Sequence, residues 1–450
     1  MRSARRRRDE ADGNDPGAAA PARATWEDAV TTSKRTKRDG RAITRRTLLK
    51  AAAAGGAAVA AAPFAPRIAR AQAGKIVIGF PVPLTGPYGA EAKEQAACAQ
   101  LAVDEFNAAG GLGGRLVELL VRDDRLDAGE AATRTLELIE KDKADFIVGS
   151  LSAAVQLAVN NVTKARKVLY VSISQSDQIT ALPDYSRYTF HEALNPHMTA
   201  GAVGRYILPK FGKKVVFLTP DYAFGHELVR GYEAVGKEHG MEVLGNILHP
   251  IGAADFSTFF PRIEALKPDV LIVNNFGRDQ LNTVKQAASF GLKKQMHIAV
   301  SVLLFGQRLA GGPEVFDGVV GGSNYYWGIE DHVPAAKRFN DAYRKRHGGQ
   351  VPSDYGAYGY AGVSALLAGL KKAGTSQTET VVGAMEGLHY DPYKGPEYLR
   401  ACDHQAVQSV LVLQSKPKAA MTGQYDVFEV VQTDPPDEKN LVSCAAEGHV

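Results

Sequence analysis

The chain has 450 residues, 45% hydrophobic and 23% charged, enough to bury at least two cores. Its formal charge of +4 is unevenly placed: residues 1–73 carry 16 Lys/Arg and 7 Asp/Glu, leaving 37 of the 53 basic and 42 of the 49 acidic residues for the rest. A mildly acidic folded portion excludes nucleic acid as the expected partner, which selects a basic face.

In chain order, Arg5 to Arg8 open a basic, solvated leader. Thr44-Arg45-Arg46-Thr47-Leu48-Leu49-Lys50 reads as a twin-arginine export signal. Behind it come the Ala-rich stretch Ala51 to Pro66 and Ala71-Gln72-Ala73, small residues of the kind a signal peptidase accepts. A membrane anchor would need ~20 strongly apolar residues, whereas this stretch is mostly Ala and Gly. The expectation is a soluble periplasmic protein that starts near Gly74, delivered by the twin-arginine translocase. Cys98 falls in a predicted helix as a buried thiol, and Cys402 and Cys444, both in the tail, are candidates to pair in an oxidising compartment. Neither C-x-x-C nor a Cys/His cluster is present, so no metal or other cofactor is expected.

The stretch from Lys75 to Val82 is rich in β-branched residues and ends in the loop Leu84-Thr85-Gly86-Pro87-Tyr88-Gly89, which gives way to a helix, Glu91 to Ala109. Gly110-Gly111-Leu112-Gly113-Gly114 has the spacing of a phosphate cradle, but it follows a helix and opens a strand, Arg115 to Arg122, so it reads as a helix stop and tight turn. Asp123 and Asp124 are expected to cap the helix from about Ala128 to Lys143. Strands follow at Asp145–Gly149 and Val168–Ser172, each ending in a serine-bearing turn: Ser150 and Ser152 after the first, Ser174 and Ser176 after the second. An extended piece, Arg187 to Glu192, leads to the break at Asn195-Pro196.

The pattern then begins again. Strands at 213–219, 241–248, 268–275, 297–301 and 318–321 alternate with helices at 227–239, 256–266 and 276–290, and the loop Pro220-Asp221-Tyr222-Ala223-Phe224-Gly225 occupies the place of the Tyr88 loop. Three further helices at 333–347, 355–373 and 377–386 precede a β-rich tail from about 398 to 431. Alternating β and α elements in two tandem sets predict an α/β protein of two Rossmann-like lobes with parallel sheets, in which ligands sit beyond the carboxyl ends of the strands. No nucleophile elbow, metal motif or P-loop points to an enzyme.

On Leu84-Thr85-Gly86-Pro87, Asn107-Ala108-Ala109-Gly110-Gly111, Asp123-Asp124, Val148-Gly149 and Asp221-Tyr222-Ala223-Phe224-Gly225, the mature chain resembles the type I periplasmic solute-binding proteins of branched-chain amino-acid and amide importers. That resemblance implies a three-segment hinge, with lobe one at 74–195 plus 328–388 and lobe two at 196–327 plus 389–450. It also implies a monomer that captures a small-molecule ligand and hands it to ABC permease subunits; presentation to a sensor is the alternative. Ligand-binding positions carried over are Ser150, Ser152, Ser174 and Ser176 for a carboxylate, and Tyr88, Phe224 and Phe276 for the ligand body; Tyr325, an aromatic at a hinge, is a further candidate either to stack on the ligand or to pack the hinge. The sequence departs from the family pattern in two places. Ala153 stands where a carboxylate-binding Ser is expected. Ser301 lies in the His297–Leu303 stretch, where an acid should meet an α-ammonium, and Asp279 and Glu330 are the alternatives. The expected ligand is therefore an aromatic or aliphatic carboxylate rather than an α-amino acid.

Overall fold

The computed structural model describes residues 74–449, so the basic leader, the twin-arginine motif and the expected cleavage site lie outside the described residues. The first sheet is all parallel, in the order β2–β1–β3–β4–β5: β1 (Ile76–Val82), β2 (Val117–Asp123), β3 (Phe146–Gly149), β4 (Leu169–Ser172) and β5 (Thr189–His191). Helices α1 (Gly89–Ala108), α2 (Ala128–Glu140) and α3 (Ala153–Arg166) make the crossovers. In β1 the side chains of Ile76, Ile78, Phe80 and Val82 are fully enclosed, the burial expected of a central strand covered by helices.

The second lobe begins at α4 (Pro196–Phe211), where the Asn195 side chain accepts the Met198 N–H at 2.8 Å and Pro196 fills the first helical position. It continues through β6 (Lys214–Pro220), α5 (Ala223–His239), β7 (Glu242–His249), α6 (Phe260–Leu266), β8 (Val270–Val273), α7 (Gly277–Phe290), β9 (His297–Val302), α8 (Phe305–Gly311), α9 (Pro313–Phe316) and β10 (Val320–Ser323). The chain then forms α10 (Pro334–Arg346), α11 (Asp354–Ala373), α12 (Thr378–Met385), β11 (His389–Tyr390), β12 (Glu397–Leu399), β13 (Ala406–Val407), β14 (Val410–Ser415) and β15 (Phe428–Asp434). The second sheet runs β15–β14–β10–β9–β8–β6–β7. It differs from the parallel expectation at one edge, where β14 pairs antiparallel with both β10 and β15. A tail strand needs no crossover helix when it returns antiparallel.

Three passages link the lobes, through 192–195, through the segment after β10 and between β13 and β14, which gives the three-segment hinge. The small sheet β11–β12–β13, expected with lobe two, attaches instead to the first lobe: Gln405 bridges His191, and the His404 ring stacks on Phe190 at 4.1 Å. Helix α11 packs against α1 so closely that a Cβ at Gly359 would stand 2.0 Å from the Gln95 carbonyl oxygen.

The tight-turn reading holds at 110–114, where Gly110, Gly111, Gly113 and Gly114 all have positive φ. The expected cap by Asp123 and Asp124 does not form. Asp127 caps α2, accepting the Glu130 N–H at 2.7 Å. Asp123 accepts from the Thr85 hydroxyl and the Arg125 N–H, and Asp124 from the Leu126 N–H, so the pair ties the turn together. Cys402 and Cys444 form a disulfide, and Cys98 is a free, buried thiol on α1.

Candidate functional site

At the carboxyl ends of the two sheets the lobes meet across a small cavity of ≈ 10 Å³ lined by Tyr88, Leu151, Ala153, Gln175, Tyr222, Phe224, Phe276 and Tyr355. Each wall follows from a strand-to-helix turn. Tyr88 precedes α1, Leu151 and Ala153 open α3, Tyr222 and Phe224 open α5, and Phe276 precedes α7. The aromatic wall is a chain of edge contacts. Tyr88 and Phe276 lie 4.7 Å apart between ring centroids at 81°, and Phe276 and Tyr355 lie 4.6 Å apart at 62°. Tyr88 also donates its hydroxyl to the Tyr222 hydroxyl at 3.3 Å. Gly277 allows this approach: it has φ of +55°, and a Cβ there would lie 2.9 Å from Tyr88 Cδ1 and 3.1 Å from the Pro87 oxygen.

The lining carries hydroxyls and an amide but no charged side chain. Burial raises the phenols of Tyr88, Tyr222 and Tyr355 above their ordinary range, so they remain neutral donors. Gln175 is held by the Tyr355 and Tyr358 hydroxyls, each 3.4 Å from its amide nitrogen, and by the Thr199 hydroxyl 3.3 Å from its oxygen. Ser152 stands at the N-cap of α3 without a side-chain capping bond, so the first N–H groups of this 14-residue helix are open to the cavity edge at Ala153. That end favours negative charge.

The structure gathers three of the expected side chains, Tyr88, Phe224 and Phe276, on the cavity wall. The serines flank it. The Ser150 N–H donates to the Tyr170 hydroxyl at 3.1 Å, while its own buried hydroxyl has no partner among the described residues. Ser174 is committed to the Leu151 carbonyl at 2.7 Å, and Ser176 donates to Glu227 at 3.2 Å. Two expected residues lie elsewhere. Ser301 sits inside the second sheet with its hydroxyl 2.5 Å from Asn274 Oδ1, because β9 is covered on both faces. Tyr325 belongs to the hinge core, bonded to Asn340 at 2.5 Å and packed on Phe339 and Tyr393.

Neither alternative acid meets the cavity. Glu330 is paired with Arg344 at 2.7 Å; Asp279, outside the cavity lining, accepts the Gly252 N–H at 2.8 Å through one oxygen, while its other, buried oxygen has no partner among the described residues. Tyr222, Gln175 and Tyr355 are wall residues that sequence reasoning passed over. Tyr222 was discoverable, two residues before Phe224 in the same loop, whereas Tyr355 reaches the site only through the packing of α11 on α1.

Two sheets, a three-strand hinge and a cavity between the lobes define a two-lobed solute-binding protein. The sequence profile of the periplasmic binding protein family matches residues 75–420, and the chain belongs to that family. A Leu/Ile/Val-binding protein homolog 7 from Brucella abortus is 24% identical over 330 residues, 71% of this chain and 82% of its own. An amino acid ABC transporter substrate-binding protein from Pseudomonas fluorescens superposes with a TM-score of 0.77 at 27% identity, covering 84% of this chain and 99% of that one. A solute-binding protein of an ABC transporter from Rhodopseudomonas palustris, in complex with 3,4-dihydroxybenzoic acid, has the same fold, with a TM-score of 0.73, 22% identity and coverage of 80% and 98%. These are binding proteins and not enzymes. No helix among the described residues is long and apolar enough to cross a membrane.

Proposed function

We propose that this protein captures a small organic carboxylate between its lobes in the periplasm and delivers it to the permease subunits of an ABC importer. The observation that carries this reading is the cavity lining: aromatic rings and neutral donors on all sides, a helix N-terminus at one edge, and no charged side chain. A carboxylate would sit at the start of α3, by Ala153 and Ser152, with Ser150 within the same turn. A ring or branched chain would lie among Tyr88, Phe224, Phe276 and Tyr355.

The closed cleft leaves only ≈ 10 Å³ free, about the room of one water, so a solute must enter with the lobes apart. An α-ammonium enclosed there would lack an ion-pair partner, at a cost of several kcal/mol. The fold itself accommodates an aromatic acid in the Rhodopseudomonas palustris protein. Lobe one would comprise 74–195 and 328–388, extended through the small sheet to 407, and lobe two the remainder. Closure follows population shift, since only the closed form lets one ligand touch both lobes.

The test is a thermal-shift screen with benzoate, phenylalanine and leucine, because binding to the folded state raises its stability with occupancy. Benzoate-type acids should stabilise the protein and leucine should not. Tight leucine binding with none to its deaminated acid would sink the proposal.

A further inference from the structure

The lobes also meet in a polar seam beside the aromatic cavity. Glu227, one turn beyond Phe224 on α5, is 1% exposed. Its two carboxyl oxygens accept from the Ser176 hydroxyl and from the Asp177 N–H, each at 3.2 Å, on the lobe-one turn after β4. Asp177 turns its own carboxylate to the His197 N–H at 2.9 Å, at the start of α4 where the chain first enters lobe two. Two carboxyl groups thus lie side by side where three segments converge. Four other titratable groups face them. Arg230, one turn further on α5 and exposed, makes no salt bridge with either among the described residues. The His197 ring on α4 is held neutral by burial. Glu447 of the tail, near Asp177, is itself pushed up to about 8 by burial and Asp403, and His226 is occupied with Asp221 at 2.8 Å.

We propose that Glu227 is a closure latch that engages only when this carboxyl pair is protonated, so that closing the lobes takes up protons from solvent. It is a positioning residue, since it does not line the ligand cavity, and the inference rests on the reading of the two lobes as a closing clamshell. With Glu227 enclosed, Asp177 partly so and no ion-paired cation, the two carboxylates resist being charged together, and the Arg230 charge offsets this only in part. Burial, together with Asp177, pushes Glu227 up to about 8, and burial pushes Asp177 up to about 7. When the lobes part, Ser176 and Asp177 leave Glu227, both carboxyls return to water, and they titrate near their ordinary ~4. The closed form therefore binds more protons than the open form between about pH 4 and 8. Closure is favoured at the acidic end of that window and weakens as pH rises through it, by at most about tenfold in the closed-to-open ratio per pH unit for each proton taken up.

The test needs no solute, so its failure is separable from failure of the ligand assignment. Spin labels are placed on the full chain at two exposed sites, one per lobe (Lys93→Cys on α1 and Lys285→Cys on α7), and the interlobe distance distribution is recorded from pH 5.5 to 8.5 at fixed ionic strength. The unmodified latch should lose its short-distance population as pH rises. Glu227→Gln, which removes the charge and keeps one of the two acceptor oxygens, should hold that population constant across the range, and Asp177→Asn should do the same if Glu227→Gln does not fold. A pH-independent distribution in the parent protein would overturn the proposal. So would loss of the closed population at every pH in both variants, the mark of a merely structural contact.

Discussion

Gly277 gives the most direct test of whether the cavity closes as the structure implies. Replacing it with Ala adds one carbon that would stand 2.9 Å from Tyr88 Cδ1 and 3.1 Å from the Pro87 oxygen, both on the opposite lobe. The substitution has two separable costs. The left-handed φ of +55° is unfavourable for any residue with a Cβ, by about 1–2 kcal/mol, and that cost is paid in the open and closed forms alike. It lowers folding stability and leaves the closing equilibrium alone. The overlap with Tyr88 exists only when the lobes are together, and inserting a methyl into a packed contact costs about 1–3 kcal/mol. It should therefore appear as a roughly 5- to 150-fold weaker Kd. The assay is titration calorimetry with the solute that gives the largest thermal shift, alongside urea unfolding of the same samples. Gly383→Ala, on α12 with open space around it, serves as the control and should gain a few tenths of a kcal/mol or more without changing Kd. Reduced stability with an unchanged Kd in Gly277→Ala would mean that this contact does not form in the liganded state, and the closed-cleft reasoning would fall.

Other expectations follow from the same geometry. Tyr88→Ala and Phe224→Ala should each weaken solute binding by tenfold or more, while Cys98→Ala, enclosed on α1 away from the cavity, should leave Kd unchanged; normal binding by both aromatic variants would show the site to be elsewhere. In the hinge core, Glu192 and Glu397 are fully buried, burial and mutual repulsion raise Glu192, and burial raises Glu397 to about 7. Because these folded values lie above the unfolded ones, the stability they confer is complete below about pH 4 and is lost as pH rises through 7. The unfolding free energy from urea titration should accordingly fall from pH 5.5 to 8.5, by about 2 kcal/mol from Glu397 alone, and Glu397→Gln should flatten that slope. Reduction of the Cys402–Cys444 bridge, which closes a separation of 42 residues, should remove about 4 kcal/mol of stability with little change in Kd, read by urea unfolding with and without reductant.

The fold was legible because β-branched runs, serine-bearing turns and helix stops recur in the same order twice, and strand order in such sheets follows from right-handed crossovers. Cavity residues on strand-to-helix turns were legible for the same reason: Tyr88, Phe224 and Phe276 are each the large side chain of a turn at a strand's carboxyl end. What failed was position within covered elements. Ser301 looks polar and available in sequence, yet β9 is buried on both faces and its hydroxyl is spent on Asn274. Tyr325 lies in a crossing segment, where an aromatic can face either the cavity or the hinge, and only the packing of α10 with Asn340 decides it. The antiparallel return of β14 and the attachment of the small sheet to lobe one depend on long-range pairings that no local pattern encodes.

The two departures from the family pattern have one physical consequence. A serine missing at position 153 removes one hydroxyl from the carboxylate end, but it leaves the N–H groups of α3, which need no side chain to attract an anion. The acid missing from β9 removes the expected partner of an ammonium: Glu330 is engaged with Arg344 and Glu227 with the opposite lobe, and Asp279, outside the cavity lining, gives one oxygen to Gly252 and leaves the other buried without a partner among the described residues. On the proposed reading the site retains its means of holding negative charge, and no charged side chain in the cavity lining meets a positive one. Selectivity would then come from the cost of enclosing an unpaired ammonium as much as from the aromatic contacts, so restoring an acid should matter more than restoring the serine. Ser301 lies too deep within the second sheet to supply that acid. Position 276, whose ring touches both Tyr88 and Tyr355, is the site at which a carboxylate would face the ligand.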